Sequence, residues 1–297
     1  MKKVLLLSYL YLLIGNLYAQ QKIVVFQTDF GVKDGAVSAM KGVSMSVDSS
    51  LNLFDLTHEI PAYNIWEAAY RLEQTLSYWP AGTVFVSVVD PGVGTDRKSV
   101  VLQTKSGHYI VTPDNGTLTL IAESKGIAAV RQINEQINRR PGSEESYTFH
   151  GRDVYAYTAA RLAAGKIRFD EVGPALPNEV VRIPYQQAEI NNQVITGNIP
   201  ILDVQYGNVW TNIPKSLFTQ AGIGINDRIR VKIFHGKQPV YDGILPYVTS
   251  FGAVRKGKPL AYFNSLMQLS FALNMGNFAA THKVSSGNDW WVEVRKM

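Results

Sequence analysis

The sequence contains no cysteine. Disulfide staples, Cys-ligated zinc, iron–sulfur clusters and a thiol nucleophile are therefore excluded. Phosphate cradles are missing as well: no GxGxxG follows the first strand pattern, and GxxxxGK[ST] occurs nowhere in the 297 residues. None of the five histidines, His58, His108, His150, His235 and His282, stands at HExxH or another short metal spacing. A metal site would have to be assembled from distant residues, and none is expected. The formal net charge is only +5, with no dense Lys/Arg cluster, so there is no electrostatic footprint for nucleic acid. What is present is core-forming material: 46% hydrophobic and 11% aromatic residues exclude disorder and collagen-like repetition.

One apolar run stands apart. Lys2 and Lys3 precede Val4–Ile14, which is broken only by Ser8, and Leu17-Tyr18-Ala19 precedes Gln20. The run is too short for a bilayer core that needs about 20 residues. It reads as a secretory signal peptide over residues 1–19, cleaved after Ala19; a mistranslated start or a buried first strand is the alternative. Cleavage would lower the formal charge from +5 to +3 and leave no membrane span. The expected location is secreted or periplasmic, or cytoplasmic if the leader reading fails. Export to an oxidising compartment fits the lack of free cysteine.

From residue 22 strand and helix patterns alternate. Strands are expected over Lys22–Thr28, Leu51–Leu56, Thr83–Val89, Ser99–Thr104 and Tyr109–Val111. Helices are expected over Asp34–Ser46, opened by its leading Asp, and over Ala62–Trp79, Leu118–Ser124 and Arg152–Ala164. Residues 138–147 read as a polar surface loop. This alternation predicts an α/β domain over residues 20–170 with a parallel-rich sheet flanked by helices. Pro174, Pro177 and Pro184 then punctuate a connector over residues 171–187. Short β runs at Val194–Val204, Arg228–Phe234, Pro259–Phe263, Leu269–Leu273 and Trp290–Val294, with one helical piece at Pro214–Ala221, predict a smaller, mainly β, barrel-like domain over 188–297.

Ligands of open α/β sheets bind beyond the carboxyl ends of the strands. The first strand runs into Thr28-Asp29-Phe30-Gly31, with Asp34 opening the next helix, and the third into Asp90-Pro91-Gly92-Val93-Gly94-Thr95-Asp96-Arg97. Either aspartate alone could be a helix cap or turn former; two at equivalent strand ends favour a shared site. His150, in Thr148-Phe149-His150-Gly151-Arg152-Asp153, sits where a loop enters a helix, a position suited to catalysis. In the second domain, Asp203 to Asn212 reads as a strand ending in Gly207-Asn208-Val209-Trp210. Its amide could pair with a purine edge and its ring could stack on the face; a β-turn with a core tryptophan is the plain alternative.

Seven segments in order, Thr28–Gly42, Asp55–Pro61, Gly82–Arg97, Pro113–Leu118, Thr148–Asp153, Gly207–Ile213 and Phe263–Ser265, closely resemble the S-adenosylmethionine (SAM) hydroxide adenosyltransferases. These SAM hydrolases are relatives of the fluorinase and chlorinase, and the resemblance covers the chain from about residue 22 onward. It implies hydrolysis of SAM to adenosine and L-methionine by in-line attack of water on C5′, with SAM as substrate and no cofactor. By resemblance, Asp90, Arg97 and His150 hold and activate the water, and Asp29 binds the ribose hydroxyls. Asp34 contacts the methionine end, Asn208 the adenine edge, and Trp210 and Phe251 line the nucleoside pocket. Asp203 and Ser265 make further contacts to the amino acid moiety. The family also implies a homotrimer with each site between the first domain of one subunit and the second domain of its neighbour.

Departures from the halogenases are informative. Asp90 stands where they carry an aromatic residue, Gly151 where they carry a small hydroxyl side chain, and Leu266 and Leu273 where they carry basic residues. A carboxylate would repel an incoming halide, which disfavours halogenation, and the two leucines remove charge-assisted contacts to the substrate carboxylate. Two further readings use the same residues. One is an exported binding protein for adenosine or a related nucleoside, built on Asp29, Asn208 and Trp210. The other is metal-assisted hydrolysis at Asp29, Asp34, Asp90 and His150.

Overall fold

Runs without polar alternation bury both faces of a strand, and β1 (Ile23–Thr28) and β3 (Val84–Val88) do so inside a seven-stranded sheet. The computed structural model describes residues 22–297; the expected leader lies outside the described residues. The chain divides after Arg182 into two compact units, and each is taken by itself.

In the first unit, β2 (Asn52–Thr57), β1, β3 and β5 (Tyr109–Pro113) are parallel neighbours. The sheet continues antiparallel through β4 (Ser99–Thr104), β6 (Ile127–Gln132) and β7 (Ala175–Leu176). Side chains alternate across it. Val24 and Phe26 of β1 pack with Met40 of α1 (Ala36–Val47) and Ala159 of α5 (Tyr157–Ala163). Val25 of β1 and Phe85 of β3 pack on the other face with Leu72 of α2 (Ile65–Leu76) and Ile121 of α3 (Thr119–Ser124). The result is the parallel-rich α/β layering expected from the sequence pattern.

Several boundaries differ for physical reasons. The second helix starts at Ile65 because Asn64 caps it, its side chain accepting the Glu67 N–H. Asp34 lies outside the first helix, whose N-cap is Gly35, although the Asp34 carboxylate still accepts the Ala36 N–H at 2.9 Å. The last helix begins as a π-helical turn over Gly151–Ala156 before α5; such turns concentrate at functional sites. Strand β6 was not legible, since Ala128 and Ala129 dilute its pattern, and β7 lies within the expected connector. The expected surface loop over 138–147 begins at the last residue of the short helix α4 (Glu135–Asn138) and buries Asn138 and Ser143.

The second unit holds two antiparallel sheets around one core. The strand β10 (Ile201–Leu202) pairs with β11 (Val209–Pro214), followed by β15 (Gln268–Leu273) and β14 (Pro259–Phe263). The other sheet runs β13 (Gln238–Pro246), β12 (Arg228–His235), β16 (Trp290–Lys296), β9 (Val194–Asn198) and β8 (Glu189–Asn191). Val209, Phe271, Val231 and Val292 from the two sheets share a core with Phe218 of α6 (Lys215–Gln220) and Phe278 of α7 (Phe278–His282). The expected run Val194–Val204 is split between β9 and β10 at Ile199-Pro200. The strand β13 carries Pro239 and Pro246 and sits at a sheet edge, where missing N–H donors are tolerated. Among the described residues, no helix is long and apolar enough to cross a membrane.

Candidate active site

Because β1 and β3 are parallel neighbours with Thr28 opposite Val88, the loops that follow them emerge side by side. They carry Asp29 and Asp90. A pocket of about 250 Å³ opens there, lined by both aspartates, His150 and the apolar surfaces of Phe30, Val93 and Phe149. The loop after β3 folds back through two turns, with the Val93 N–H donating to Asp90 O and the Thr95 N–H to Gly92 O. This reversal returns Arg97 to the start of its own loop. Its Nε donates to both Asp90 carboxylate oxygens at 3.0 Å and its Nη2 to Oδ2 at 2.7 Å. The two side chains are 11% and 5% exposed, so the pair is largely desolvated and strongly held.

His150 arrives from the segment entering the π-helical turn. Its Nδ1 lies 2.9 Å from Arg97 Nη2, and the residue is 6% exposed. Burial lowers its pKa, with Arg97 and Arg139 adding to the effect and Glu135 and Asp90 opposing it. Burial also works against the charge on Arg97, but the Asp90 contact outweighs it and raises the pKa. Gly151 packs tightly: a Cβ would come 3.1 Å from the Phe30 ring, which itself meets Phe149 edge to face at 5.9 Å. A hydroxyl side chain at this position would have to push that ring aside.

Asp29 commits one oxygen to the Tyr63 N–H at 2.9 Å, and Tyr63 adopts a left-handed φ of 68° to present it. Behind the loop, Thr28 Oγ1 meets His58 Nδ1 at 2.8 Å, His58 Nε2 meets Asp55 at 3.0 Å, and Lys41 donates to Asp55 at 2.6 Å. This chain resembles a Thr-His-Asp triad, but Thr28 is fully buried, so it braces the loop. Asp34 is exposed and does not line the pocket.

A second pocket, about 490 Å³, belongs to the second unit and is lined by Asn208, Phe251, Leu273, Asn274 and Asn277 among others. The turn between β10 and β11 builds it, so Asn208 opens a strand instead of ending one. The Asn208 amide, 5% exposed, donates to Asp203 at 3.1 Å and keeps its oxygen and second N–H for a ligand. Trp210 lies on β11 opposite Ser270, which is itself opposite Tyr262 of β14. The Phe251 ring is 4.9 Å from Tyr262. Trp210 does not line this pocket, nor does Ser265, which is exposed in the β14–β15 turn.

The structure therefore gathers Asp90, Arg97, His150 and Asp29 in one unit, and Asn208, Asp203 and Phe251 in the other. Sequence reasoning missed Tyr63, Glu135, Arg139 and Tyr155. The Asn134-capped start of α4 and the i,i+4 spacing of Glu135 and Arg139 were the only available signals for the middle pair.

The N-terminal domain of the SAM hydroxide adenosyltransferases matches residues 24–173 and the C-terminal domain residues 197–291. The chain is 39% identical over 217 residues to the (R)-S-adenosyl-L-methionine hydrolase of Methanocaldococcus jannaschii, covering 72% of this chain and 74% of that protein. It is 35% identical to the hydrolase of the same description from Salinispora tropica, covering 89% and 94% of the two chains. A fluorinase from an Actinoplanes species is 29% identical over 89% and 95%. A crystal structure of an uncharacterized conserved protein from Thermotoga maritima superposes with a TM-score of 0.82 at 33% identity, covering 92% of this chain and 99% of that one. With both domains matched in order along one chain, this protein belongs to the SAM hydroxide adenosyltransferase family.

Proposed function

We propose that this protein hydrolyses SAM to adenosine and L-methionine, with a water held at Asp90 attacking C5′. The observation that carries this reading is the desolvated Asp90–Arg97–His150 cluster on a pocket that also presents Asp29. SAM is a sulfonium, so its leaving group departs as neutral methionine and needs no general acid. As the C5′–O bond forms and the C5′–S bond breaks, positive charge moves from sulfur to the attacking oxygen. A carboxylate beside that oxygen stabilises the transition state more than the ground state. Halide attack would instead bring an anion toward Asp90, which costs Coulomb energy.

The remaining residues position. Arg97 fixes the Asp90 carboxylate, and oriented reactants can gain roughly 7–11 kcal/mol over free ones. Asp29 takes the ribose hydroxyls with its second oxygen, and Asn208 the adenine edge; Phe251 supplies an aromatic surface. Asp34, Asp203, Trp210 and Ser265 are assigned no direct contact here. The reading needs no cofactor or metal, and retained activity in chelator is the expected result. We further propose a homotrimer exported by the leader at residues 1–19.

Protein incubated with SAM in ¹⁸O-water is expected to release adenosine labelled at its 5′-oxygen. Asp90→Ala should lose roughly 10²-fold or more in kcat, and because it leaves the buried Arg97 guanidinium without its carboxylate it should also melt lower than the wild type. Unlabelled adenosine, or adenosine binding with no turnover in the wild type, would refute the proposal and favour the nucleoside-binding alternative.

A further inference from the structure

Both ring nitrogens of His150 face guanidinium groups. Nδ1 lies 2.9 Å from Arg97 Nη2 and Nε2 lies 3.2 Å from Arg139 Nη2. A guanidinium only donates, and a neutral imidazole has one acceptor nitrogen. A neutral ring can accept from only one of the two guanidiniums; the shorter contact favours Arg97 as that donor, which leaves the proton on Nε2, facing Arg139 without a hydrogen bond. An imidazolium would present donors to donors on both sides.

Arg139 cannot easily leave. Its Nη2 donates to Glu135 Oε2 at 2.6 Å and its Nη1 to Ser146 O at 3.1 Å. The other Glu135 oxygen accepts from Ser99 Oγ at 3.2 Å, and Ser99 Oγ accepts from Arg97 Nη1 at 3.1 Å. Arg97, Ser99, Glu135, Arg139 and His150 thus form a closed ring of side chains. Its members come from the β3–β4 loop, the start of β4, α4 and the π-helical turn. Tyr155 OH, 3.2 Å from Ser99 Oγ and 3.5 Å from Asp90 Oδ2, spans it.

We propose that Arg139, braced by Glu135, is a positioning residue that closes the second nitrogen of His150 and fixes the imidazole as an acceptor for Arg97. The inference rests on the hydrolase reading. Its chemical consequence is that His150 takes no proton from the water. Oxygen of water bonds to C5′, the C5′–S electron pair stays on sulfur as neutral methionine, and the proton passes to the Asp90 carboxylate and then to solvent. Asp90 Oδ1, which accepts only the shared Arg97 Nε–H, has the free lone pair. A weak base suffices, because a protonated alcohol is far more acidic than water. The charged groups facing His150 are Arg97 and Asp90 from the β3–β4 loop and Glu135 and Arg139 from α4 and its end. Asp29 faces the same pocket from the β1 loop.

The test is ¹⁵N spectroscopy of the histidine rings in the full chain without substrate, together with kcat from pH 5.5 to 8. In the wild type the His150 ring should remain the Nε2–H tautomer without titrating, and kcat should show no His limb. In Arg139→Gln the ring loses one of its two cationic neighbours but stays buried against Arg97, so it should take up a proton at a higher pH than in the wild type, and kcat should fall severalfold from pH 8 to pH 5.5 with KM little changed. Arg139→Lys, which keeps a cation, should hold the ring neutral. A wild-type ring that titrates near 6.5 or is protonated on Nδ1 overturns the inference, as does an Arg139→Gln spectrum and profile matching the wild type. The wild-type spectrum decides even if Arg139→Gln fails to fold. A wild type with the expected spectrum but no SAM turnover would sink the hydrolase reading and leave the ring assignment standing.

Discussion

Gly207 shows how much one residue can carry. It adopts a φ of +67°, and a Cβ there would collide with the side-chain amide of Asn277, whose oxygen caps α7 by accepting the Ala280 N–H at 2.7 Å. Gly207→Ala therefore combines backbone strain with damage to a cap, and should cost about 1–3 kcal/mol in denaturant titration. Because Asn208 is the next residue, adenosine affinity should fall as well; unchanged stability would remove this account. His150 carries a pH signature. Burial depresses its pKa, so as pH falls through the ordinary value of about 6.5 the unfolded chain takes up a proton that the folded protein refuses. Stability is thereby lost on acidification. The melting temperature should fall between pH 7.5 and 5.5, and by less in His150→Gln; equal falls would show that other groups dominate.

At the scale of elements, the ends of β1 and β2 are tied by the Thr28–His58–Asp55–Lys41 chain, buried at Thr28 and His58 and open to solvent at Asp55, and the Gly31 N–H also donates to His58 O at 2.7 Å. His58→Ala would leave the buried Thr28 hydroxyl with only the Phe30 N–H, at 3.2 Å, and its own proton unpaired, at a cost of about 1–3 kcal/mol. It should also raise KM for SAM through the loosened Asp29 loop; a variant that melts lower with KM unchanged would separate the brace from the site. The central strands and amphipathic helices were legible because each alone carries the period that buries it. IAAVRQ was not, since β6 owes its state to pairing with β4 more than to its own propensity. The π-helical start at Gly151 was equally hidden: its apolar spacing is that of a helix, and only packing against Phe30 and α1 selects the wider turn.

On the whole-molecule scale, the leader and the trimer make separate predictions. Intact-mass measurement of protein recovered from an exporting host should give a chain starting at Gln20, and light scattering should give three times the mature mass. Retained residues 1–19, or a monomer, would overturn one or the other. The sequence by itself determined the layer architecture, the strand-end placement of Asp29 and Asp90 and the membership of Arg97 and His150 in the same cluster. The first two follow from local period and turn chemistry, and the third is what the resemblance of the ordered motifs implies. Only the tertiary structure decided that Glu135 and Arg139 close a ring around His150, that Asp34 stands exposed ahead of the first helix, and that Trp210 does not line the pocket beside Asn208. These depend on distances between segments far apart in sequence, set by how sheets and helices pack and invisible to any local pattern.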